Sequence, residues 1–196
     1  MRFVLATANP GKIEEMRKIL SDCNIEIVTR DDCGINVDIE ESGTTFLENA
    51  VLKARAICEI AGLPAIADDS GLMVDSLDGG PGVCSSSYGG EKLSDEQRCA
   101  YLLNAMEGKE QKSAKFVCTI VCYFPDGKFI SSEGECSGEI VPTPRGNGGF
   151  GYDPIFLVKG TGKTMAQLTP GEKNIISHRG QALRKFASAL QERGYR

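Results

Sequence analysis

The sequence predicts an α/β fold, in which short β-strands alternate with amphipathic helices. Arg2 to Ala6 form a β-type run that precedes a tight turn and an amphipathic segment. Two later helices each begin with a capping box. The third observation is the hairpin signal Pro125-Asp126-Gly127 between two further strand patterns. Because strand and helix periods both recur along the chain, a mixed architecture is expected.

The turn after the first strand has the composition of a phosphate-binding loop. It reads Thr7-Ala8-Asn9-Pro10-Gly11-Lys12 and leads into an amphipathic segment from Ile13 to Leu20. Backbone N–H groups at a helix start attract anions, and Thr7, Asn9 and Lys12 add donors and a positive charge. The loop lacks the G-x-x-x-x-G-K-[ST] spacing of a P-loop, so a simple helix-capping turn stays open as the alternative.

The next helix is marked more strongly than the first. A second strand, Ile25 to Thr29, and an acidic loop lead to it. Thr45-Phe46-Leu47-Glu48 is a capping box, and an apolar stripe follows at helical spacing. The stripe comprises Phe46, Leu47, Ala50, Val51, Ala54, Ile57, Cys58 and Ala61. Lys53 lies off the stripe, so it is either a solvated surface lysine or a cation turned toward a cleft.

Two adjacent carboxylates follow the next apolar run, a position where metal chemistry is commonly found. Leu63 to Ala67 has the pattern of a short buried strand, and Asp68-Asp69-Ser70-Gly71 follows it. An acidic pair at the carboxyl edge of such a strand can face a ligand crevice. Because consecutive strand residues point to opposite faces, Asp68 and Asp69 have different roles, one at the site and one in support. A polar turn is the alternative interpretation.

The middle of the chain contains a loop, a helix and two strands. Leu72 to Val74 is extended, and a Gly/Ser-rich loop runs from Leu77 to Gly90. Ser94-Asp95-Glu96-Gln97 caps a helix that ends at about Met106. Lys115 to Phe124 and Lys128 to Cys136 are the hairpin strands. Alternation predicts one buried face on the first of them, formed by Phe116, Cys118, Ile120, Cys122 and Phe124.

A loop with four glycines and two aromatic residues, Arg145 to Pro154, is predicted to approach a ligand closely. Ile155 to Val158 then returns to a strand pattern. Gly162-Lys163-Thr164 matches only the end of a P-loop, and we reject that motif because Leu157 stands where its first glycine belongs. Pro170-Gly171 is also expected to interrupt any helix that follows Thr164.

The last helix begins beside the only histidine of the chain. Ser177-His178-Arg179-Gly180 introduces an apolar stripe at helical spacing. The stripe comprises Ala182, Leu183, Phe186, Ala187 and Leu190. A lone histidine is commonly structural, whereas His178 next to Arg179 at a helix start suits contacts with an anion or a base edge. Both interpretations stay open from the residues alone.

Length, composition and charge limit the class of protein. The chain has 196 residues and is 41% hydrophobic, enough for a full core in one domain or two merged lobes. Its net charge of −5 disfavours an extended nucleic-acid surface, which needs a basic stripe. No segment has the roughly 18 apolar residues of a membrane span, and no signal-peptide pattern follows Met1, so we expect a cytoplasmic protein. Eight scattered cysteines without a CxxC pair are expected to be free thiols.

Five of these segments resemble those of the non-standard purine nucleoside triphosphate pyrophosphatases, also called the inosine triphosphate pyrophosphatase family. The resemblance runs nearly from end to end of the chain. Each segment alone is weakly specific, whereas five in the family's order and spacing are highly specific. The segments are Thr7-Ala8-Asn9-Pro10-Gly11-Lys12, Thr45-Phe46-Leu47-Glu48-Asn49-Ala50 with Lys53, Ile66-Ala67-Asp68-Asp69-Ser70-Gly71-Leu72, Gly148-Gly149-Phe150-Gly151-Tyr152-Asp153-Pro154, and Ser177-His178-Arg179-Gly180-Gln181-Ala182-Leu183.

The resemblance implies hydrolysis of ITP, dITP and XTP to the nucleoside monophosphate and pyrophosphate, which removes deaminated purines from the nucleotide pool. Similar enzymes are Mg²⁺-dependent homodimers. Their fold is an elongated mixed central sheet flanked by helices, with two lobes and the active cleft between them. We therefore expect residues 1–196 to form a single nucleotide pyrophosphatase domain in a cytoplasmic homodimer that binds neither nucleic acid nor membrane.

The resemblance also assigns roles to residues. Thr7 to Lys12 and Lys53 are expected to hold the triphosphate, Asp69 to accept a proton and bind the metal, and Ser70 to contact the substrate. Glu41 is the preferred second metal ligand, and Glu40 stays open because adjacent acids in a loop cannot be distinguished by sequence. The expected base and sugar pocket comprises Phe150, Gly151, Tyr152, Asp153, Lys173, His178 and Arg179.

Three other functions compete with this one. A pyrophosphatase for modified pyrimidine or methylated nucleotides would use the same metal chemistry, but the Phe150 to Asp153 loop favours purines. A non-catalytic nucleotide-binding regulator is disfavoured by the intact Lys12, Lys53 and Asp69. A nucleic-acid-binding sensor of deaminated bases is disfavoured by the acidic charge balance. One departure from the family is Ser87 before Tyr88, where many relatives carry arginine, and it is expected to affect loop packing or dimer contacts rather than activity.

Overall fold

The computed structural model describes residues 1–21, 23 and 25–194, and the chain forms two compact units. The first unit comprises Met1–Asp69, Cys118–Gly134 and Arg179–Arg196, and the second comprises Ser70–Val117 and Glu135–His178. The predicted α/β class is confirmed, because the described residues form a mixed sheet of six strands with five α-helices. The expectation of a single domain over residues 1–196 stays a prediction.

The six strands are ordered β2-β1-β3-β4-β5-β6 in the sheet. They are β1 (Arg2–Leu5), β2 (Glu26–Thr29), β3 (Ala65–Val74), β4 (Ser113–Tyr123), β5 (Phe129–Ile140) and β6 (Phe156–Val158). β1 runs parallel to both β2 and β3, whereas β5 and β6 are antiparallel. Leu5 pairs with Ile66 near the carboxyl end of β1, so the loop after β1 begins beside the residues that precede Asp68.

The two helices with predicted capping boxes begin at the predicted residues. The five helices are α1 (Pro10–Leu20), α2 (Phe46–Ala61), α3 (Asp95–Ala105), α4 (Pro170–Ile176) and α5 (His178–Glu192). Thr45 caps α2 and Ser94 caps α3, each in a complete capping box with the third residue of the helix. Gly62 ends α2 in the left-handed conformation, which glycine adopts without steric strain.

One helix start was predicted wrongly and one helix was missed, and both helices begin with proline. α1 begins at Pro10 rather than Ile13, and α4, which was not predicted, begins at Pro170. Proline fits the first turn of a helix because no backbone N–H is needed there and its φ angle is already helical. At α4, Thr169 and Glu172 form a capping box around Pro170, which is the sequence signal that the prediction missed.

The polar segment Asp68-Asp69-Ser70-Gly71 belongs to β3 and is not a turn. β3 runs without interruption from Ala65 to Val74, so the predicted strand end at Ala67 was wrong. Both aspartates are buried in the strand. A buried carboxylate is tolerated when cations offset its charge, and the cations here come from elements distant in sequence.

Each unit has its own hydrophobic core. In the first unit, α1 and α5 supply Met16, Leu20, Leu183 and Phe186 to one cluster, and α2 supplies Ala50, Ala54 and Ile57 to another. The second unit packs Leu102 of α3 with Phe156 of β6. Two details differ from the predictions. Leu47 is 41% exposed and so lies outside the buried stripe of α2, and β4 is buried on both faces, since Val121 and Cys122 are both inaccessible.

All eight cysteines are free thiols, as predicted, and six of them are buried. Cys33 and Cys84 are exposed. Within the described residues, no helix combines the length and apolar character that a bilayer crossing requires.

Candidate active site

A cavity of about 230 Å³ in the first unit brings together several of the predicted site residues. Among them, Thr7, Ala8, Lys12, Glu41 and Lys53 form part of its wall. The full lining is Ala6, Thr7, Ala8, Lys12, Arg30, Asp38, Ile39, Glu41, Lys53, Ala67 and Asp68. Three lining side chains are cationic and three are acidic, so this is a charged cavity suited to an ionic ligand rather than an apolar one.

The loop after β1 is ordered by its own side chains. Asn9 is the N-cap of α1, and its Oδ1 accepts a hydrogen bond from the Lys12 backbone N at 3.2 Å. Thr7 Oγ1 accepts one from the Asn9 backbone N at 3.1 Å. Pro10 and Gly11 form the first turn of the helix. The segment is therefore a capping turn, and its assignment to phosphate binding stays a prediction that is compatible with the cap, because a helix N-terminus also carries partial positive charge.

Asp68 is a fully buried carboxylate that holds two cations. Its Oδ2 lies 2.8 Å from Lys12 Nζ and 3.4 Å from both Nε and Nη2 of Arg179. Arg179 is itself 2% exposed and also donates from Nη1 to Glu15 at 2.7 Å. Burial alone would raise the pKa of Asp68, but Lys12 and Arg179 outweigh it and hold that pKa well below its usual range. Asp68 therefore stays ionised and fixes Lys12.

Asp69 faces a different set of groups, as the alternation of β3 predicts. Lys53 Nζ lies 3.0 Å from Asp69 Oδ1 and 2.9 Å from Glu41 Oε2. Asn49 Nδ2 lies 3.4 Å from Asp69 Oδ2, while Asn49 Oδ1 accepts from the Gly43 backbone N. Burial raises the pKa of Asp69 to about 6, although Lys53 opposes the rise, and nearby Glu41 adds to it. Lys53 is thus a cation turned into the site and not a surface lysine.

The oxygen atoms around Lys53 fit a hard divalent cation. Glu41 and Asp69 each place a carboxylate oxygen within 3.0 Å of one ammonium nitrogen, so both can reach a single positive charge. Magnesium commonly takes one or two carboxylates from a protein and completes its shell with water and phosphate. No group of three or more His, Cys, Asp or Glu side chains suited to a metal occurs in the described residues. Glu40 and Glu41 are both exposed, but Glu41 shares Lys53 with Asp69.

The glycine-aromatic loop of the second unit is held by Asp153. The buried Asp153 carboxylate accepts hydrogen bonds at Oδ2 from the Phe150 backbone N at 3.0 Å and from Lys173 Nζ at 2.9 Å. Lys173 Nζ also lies 4.6 Å from the centre of the Phe150 ring, a cation–π contact. Three of the predicted base-pocket residues therefore form one contiguous group.

Two other members of the predicted pocket have structural partners in the second unit. The Tyr152 hydroxyl donates to the Ser85 carbonyl at 2.8 Å, and burial raises the pKa of Tyr152 above its usual range. Gly151 is held at both backbone polar groups by α3. Its N–H donates to Asp95 Oδ2 at 2.6 Å, and its carbonyl oxygen accepts from Cys99 Sγ at 3.4 Å.

The remaining predicted residues are placed as follows. His178 is 5% exposed, and its ring stacks on Phe116 with centroids 4.7 Å apart and planes 13° apart. Ser70 is half-buried in β3. The assignments of His178, Arg179 and Ser70 to substrate contacts stay predictions. Ser87 is exposed, next to Tyr88, which packs edge-on against Tyr101.

Sequence reasoning missed four residues that shape these groups. Asn49 was part of a recognised motif but had no role, and Glu15 and Asp95 were read only as helix residues. Arg30, which lines the cavity, was not singled out at all. Only Asn49 could have been identified from the sequence. It is a polar residue beside Ala50 on a helix face that is otherwise apolar, and a buried polar side chain needs a hydrogen-bond partner.

Comparison with known proteins adds independent information. The sequence model of the Ham1 family matches residues 3–189. The dITP/XTP pyrophosphatase of Escherichia coli K12 is 46% identical over 194 residues, which cover 97% of this chain and 98% of the relative. The dITP/XTP pyrophosphatase of Geobacter sulfurreducens is 48% identical over 184 residues, 93% of this chain and 92% of the relative.

Solved structures show the same similarity. A HAM1 protein from Coxiella burnetii is 43% identical with a TM-score of 0.92, over 98% of this chain and 99% of that one. The Ham1 protein of Staphylococcus aureus is 40% identical with a TM-score of 0.90, over 98% of this chain and 100% of that one.

Proposed function

The chain belongs to the Ham1 family, and on that premise we propose that it hydrolyses ITP, dITP and XTP to the monophosphate and pyrophosphate. The observation that supports this most directly is the group of Lys12, Lys53, Glu41 and Asp69 in and beside one charged cavity. The relatives named dITP/XTP pyrophosphatase suggest the substrates. Such an activity removes deaminated purine nucleotides from the pool.

The triphosphate is assigned to the cavity of the first unit. It carries roughly four negative charges, which must be offset before water can approach the α-phosphorus. Lys12 and the N–H groups at the start of α1 supply positive charge and donors, and Lys53 supplies a second cation. Both lysines are already paired with aspartates. A phosphate oxygen therefore either displaces the aspartate carboxylate from the lysine or binds the lysine beside it.

Mg²⁺ is the proposed cofactor, with Glu41 and Asp69 as its protein ligands. When bound, it polarises a phosphoryl oxygen and the attacking water. Glu41 is preferred over Glu40 because only Glu41 is held with Asp69 on a common cation.

Asp69 is the proposed proton acceptor. An ordinary aspartate has a pKa near about 4 and is a weak base for water. The pKa of about 6 makes Asp69 a stronger base that is still largely ionised at neutral pH. The oxygen of the attacking water forms a bond to the α-phosphorus while its proton moves to an Asp69 oxygen. The bond from the α-phosphorus to the bridging oxygen breaks, and pyrophosphate leaves with that oxygen.

Base recognition is assigned to Phe150, Gly151, Tyr152, Asp153, Lys173, His178 and Arg179. Hypoxanthine and xanthine carry a carbonyl at C6, which N–H donors such as those of Lys173 can satisfy. Adenine carries an amino group there and leaves such donors unpaired. A site built on hydrogen bonds rejects that mismatch strongly.

Further expectations about location and assembly are part of the proposal. We expect a cytoplasmic homodimer of a single functional domain that binds neither nucleic acid nor membrane. The molar mass in solution, measured by light scattering, tests the dimer.

Pyrophosphate release tests the activity. ITP and ATP are supplied to the wild type, to Asp69→Asn and to the control Asp31→Asn, an exposed aspartate of the same unit, each with Mg²⁺ and with chelator. We expect ITP to be cleaved at least about 100-fold faster than ATP. Chelator and Asp69→Asn should each reduce the rate by about 10²–10⁴-fold, and Asp31→Asn should not change it. Binding of ITP without release of pyrophosphate under any metal would support the non-catalytic regulator instead.

A further inference from the structure

Arg30 is a cavity residue that the sequence did not single out. It follows β2 directly and lines the same cavity as Lys12 and Lys53. The cavity therefore has three cationic side chains rather than the two that the family resemblance assigns to the triphosphate.

The three cations differ in how their charges are balanced. Lys12 is paired with Asp68, and Lys53 is paired with both Glu41 and Asp69. Among the lining cations, Arg30 alone has no carboxylate within ion-pair distance in the described part of the chain. An anion entering the cavity, which Asp38 also lines, therefore meets at Arg30 a positive charge that is not engaged in an ion pair.

The hydrogen bonds of Arg30 position its guanidinium group and leave some of its N–H donors available. Nη2 donates to the Val37 carbonyl at 2.8 Å and Nε to the Ile35 carbonyl at 3.3 Å. Arginine has five N–H donors in a planar fork that matches phosphate oxygens. Nη1 has no hydrogen-bond partner among the described residues. The same bonds hold the chain that leads from Ile35 toward Glu41.

From these observations we propose that Arg30 is a third phosphate-binding cation, which contacts the polyphosphate of the substrate through Nη1. This assignment rests on the proposed function for the nature of the ligand. Its second effect is to hold the segment that carries Glu41, through the Ile35 and Val37 carbonyls. The two effects are separable. Binding phosphate depends on the positive charge of residue 30, whereas holding the Ile35 and Val37 carbonyls depends on the planar N–H donors of the guanidinium.

The test compares Arg30→Gln, Arg30→Lys and the control Arg55→Gln. Arg55 is exposed, belongs to the same unit and pairs along α2 with Glu59, so its substitution removes the same charge away from the cavity. Calorimetry measures the affinity of each protein for inorganic pyrophosphate with Mg²⁺, and steady-state kinetics gives KM and kcat for ITP. Thermal unfolding is followed in parallel.

We expect Arg30→Gln to weaken pyrophosphate binding and to raise KM for ITP by about tenfold, and Arg30→Lys to restore part of that loss. Arg55→Gln should match the wild type. If Arg30→Gln lowers only the unfolding temperature and kcat while pyrophosphate affinity and KM stay at wild-type values, Arg30 only holds the loop and the proposal fails. Calorimetry keeps this outcome distinct from a failure of the proposed function, because pyrophosphate binding is measured even if the wild type does not cleave ITP.

Discussion

The charged group of the first unit and the glycine-aromatic loop of the second unit are held by different kinds of contact. In the first unit, side chains hold one another, since Lys12 pairs with Asp68 and Lys53 pairs with Asp69. In the second unit, Asp153 also pairs with Lys173, but carboxylates in addition hold the backbone. Asp153 accepts from the Phe150 N–H, and Asp95 accepts from the Gly151 N–H.

The difference indicates what each region can do. An ion pair between side chains can exchange a carboxylate for a phosphate when a ligand arrives, so the first region is suited to binding by charge. Backbone held at fixed points presents the same donors, acceptors and ring to every ligand, so the second region is suited to selection by shape and hydrogen-bond geometry. Substitutions in the first region should therefore act by changing its charge, and substitutions in the second region should act by steric overlap or loss of a backbone hydrogen bond.

The largest effects are expected from the adjacent aspartates of β3, and their signs differ. Asp68→Asn removes the buried carboxylate that Lys12 and Arg179 share, so that Arg179 loses Asp68 and keeps Glu15 as an ion-pair partner, and should destabilise the fold by about 3–5 kcal/mol. Asp69 has a folded pKa of about 6, above its ordinary value, so its ionised form opposes folding. Asp69→Asn should therefore raise the free energy of unfolding at pH 8, by roughly 3 kcal/mol, while abolishing activity.

Urea unfolding at pH 8 and pH 5 checks both signs. A raised acid pKa means that the folded state binds the proton first, so the gain from Asp69→Asn should shrink as pH falls from 8 to 5. The pKa of Asp68 is depressed, so its stabilisation persists down to its ordinary pKa and the loss in Asp68→Asn should be similar at both values. Equal effects of the two substitutions at pH 8 would contradict this account of the two faces of β3.

The next largest loss of stability is expected from steric overlap and not from a change of charge. Gly149 and Gly151 both have left-handed φ angles, of 75° and 61°. A Cβ at Gly149 would overlap the Asp153 carboxylate, whereas one at Gly151 would meet no atom within 4 Å. Gly151→Ala should cost only the backbone strain, about 1 kcal/mol. Gly149→Ala should cost a further 1–3 kcal/mol, roughly, from overpacking.

Thermal unfolding and ITP kinetics of the two alanine variants form a matched pair. Gly149→Ala should also raise KM more than Gly151→Ala, because it displaces Asp153 from Lys173 and the Phe150 N–H. Similar losses of stability in both variants would show that φ alone matters and that the Asp153 contact adds nothing.

The two regions were not equally predictable from sequence. Helices α2 and α3 were placed correctly because their signals are local, a capping box at Thr45 and at Ser94. β3 was cut short because the groups that keep Asp68 and Asp69 in the strand lie far away in sequence. Local polarity favours a turn, and only the distant Lys12, Lys53 and Arg179 overcome that preference.

The site residues show the same limit. Charged residues in recognised motifs were assigned, but Arg30 and Asp95 act through contacts with backbone that no pattern specifies. The choice between Glu40 and Glu41 is likewise a matter of which side chain shares Lys53 with Asp69.

The smallest effect is expected where α3 holds Gly151. Burial raises the pKa of the Cys99 thiol to about 11, so it keeps its proton at neutral pH and can donate to the Gly151 carbonyl. Cys99→Ala should raise KM for ITP by about two- to fivefold with little change in kcat, since a single weak hydrogen bond is lost. Cys99→Ser keeps a donor, so its KM should lie closer to that of the wild type. Asp95→Ala should raise KM more than Cys99→Ala does, because its hydrogen bond is charge-assisted.

Glu96→Ala, on the exposed side of the same helix turn, is the control. Pyrophosphate affinity should be unchanged in all four variants, because the contact positions the second region alone. A parallel loss of pyrophosphate binding would mean that these substitutions disturb the whole protein rather than the position of Gly151.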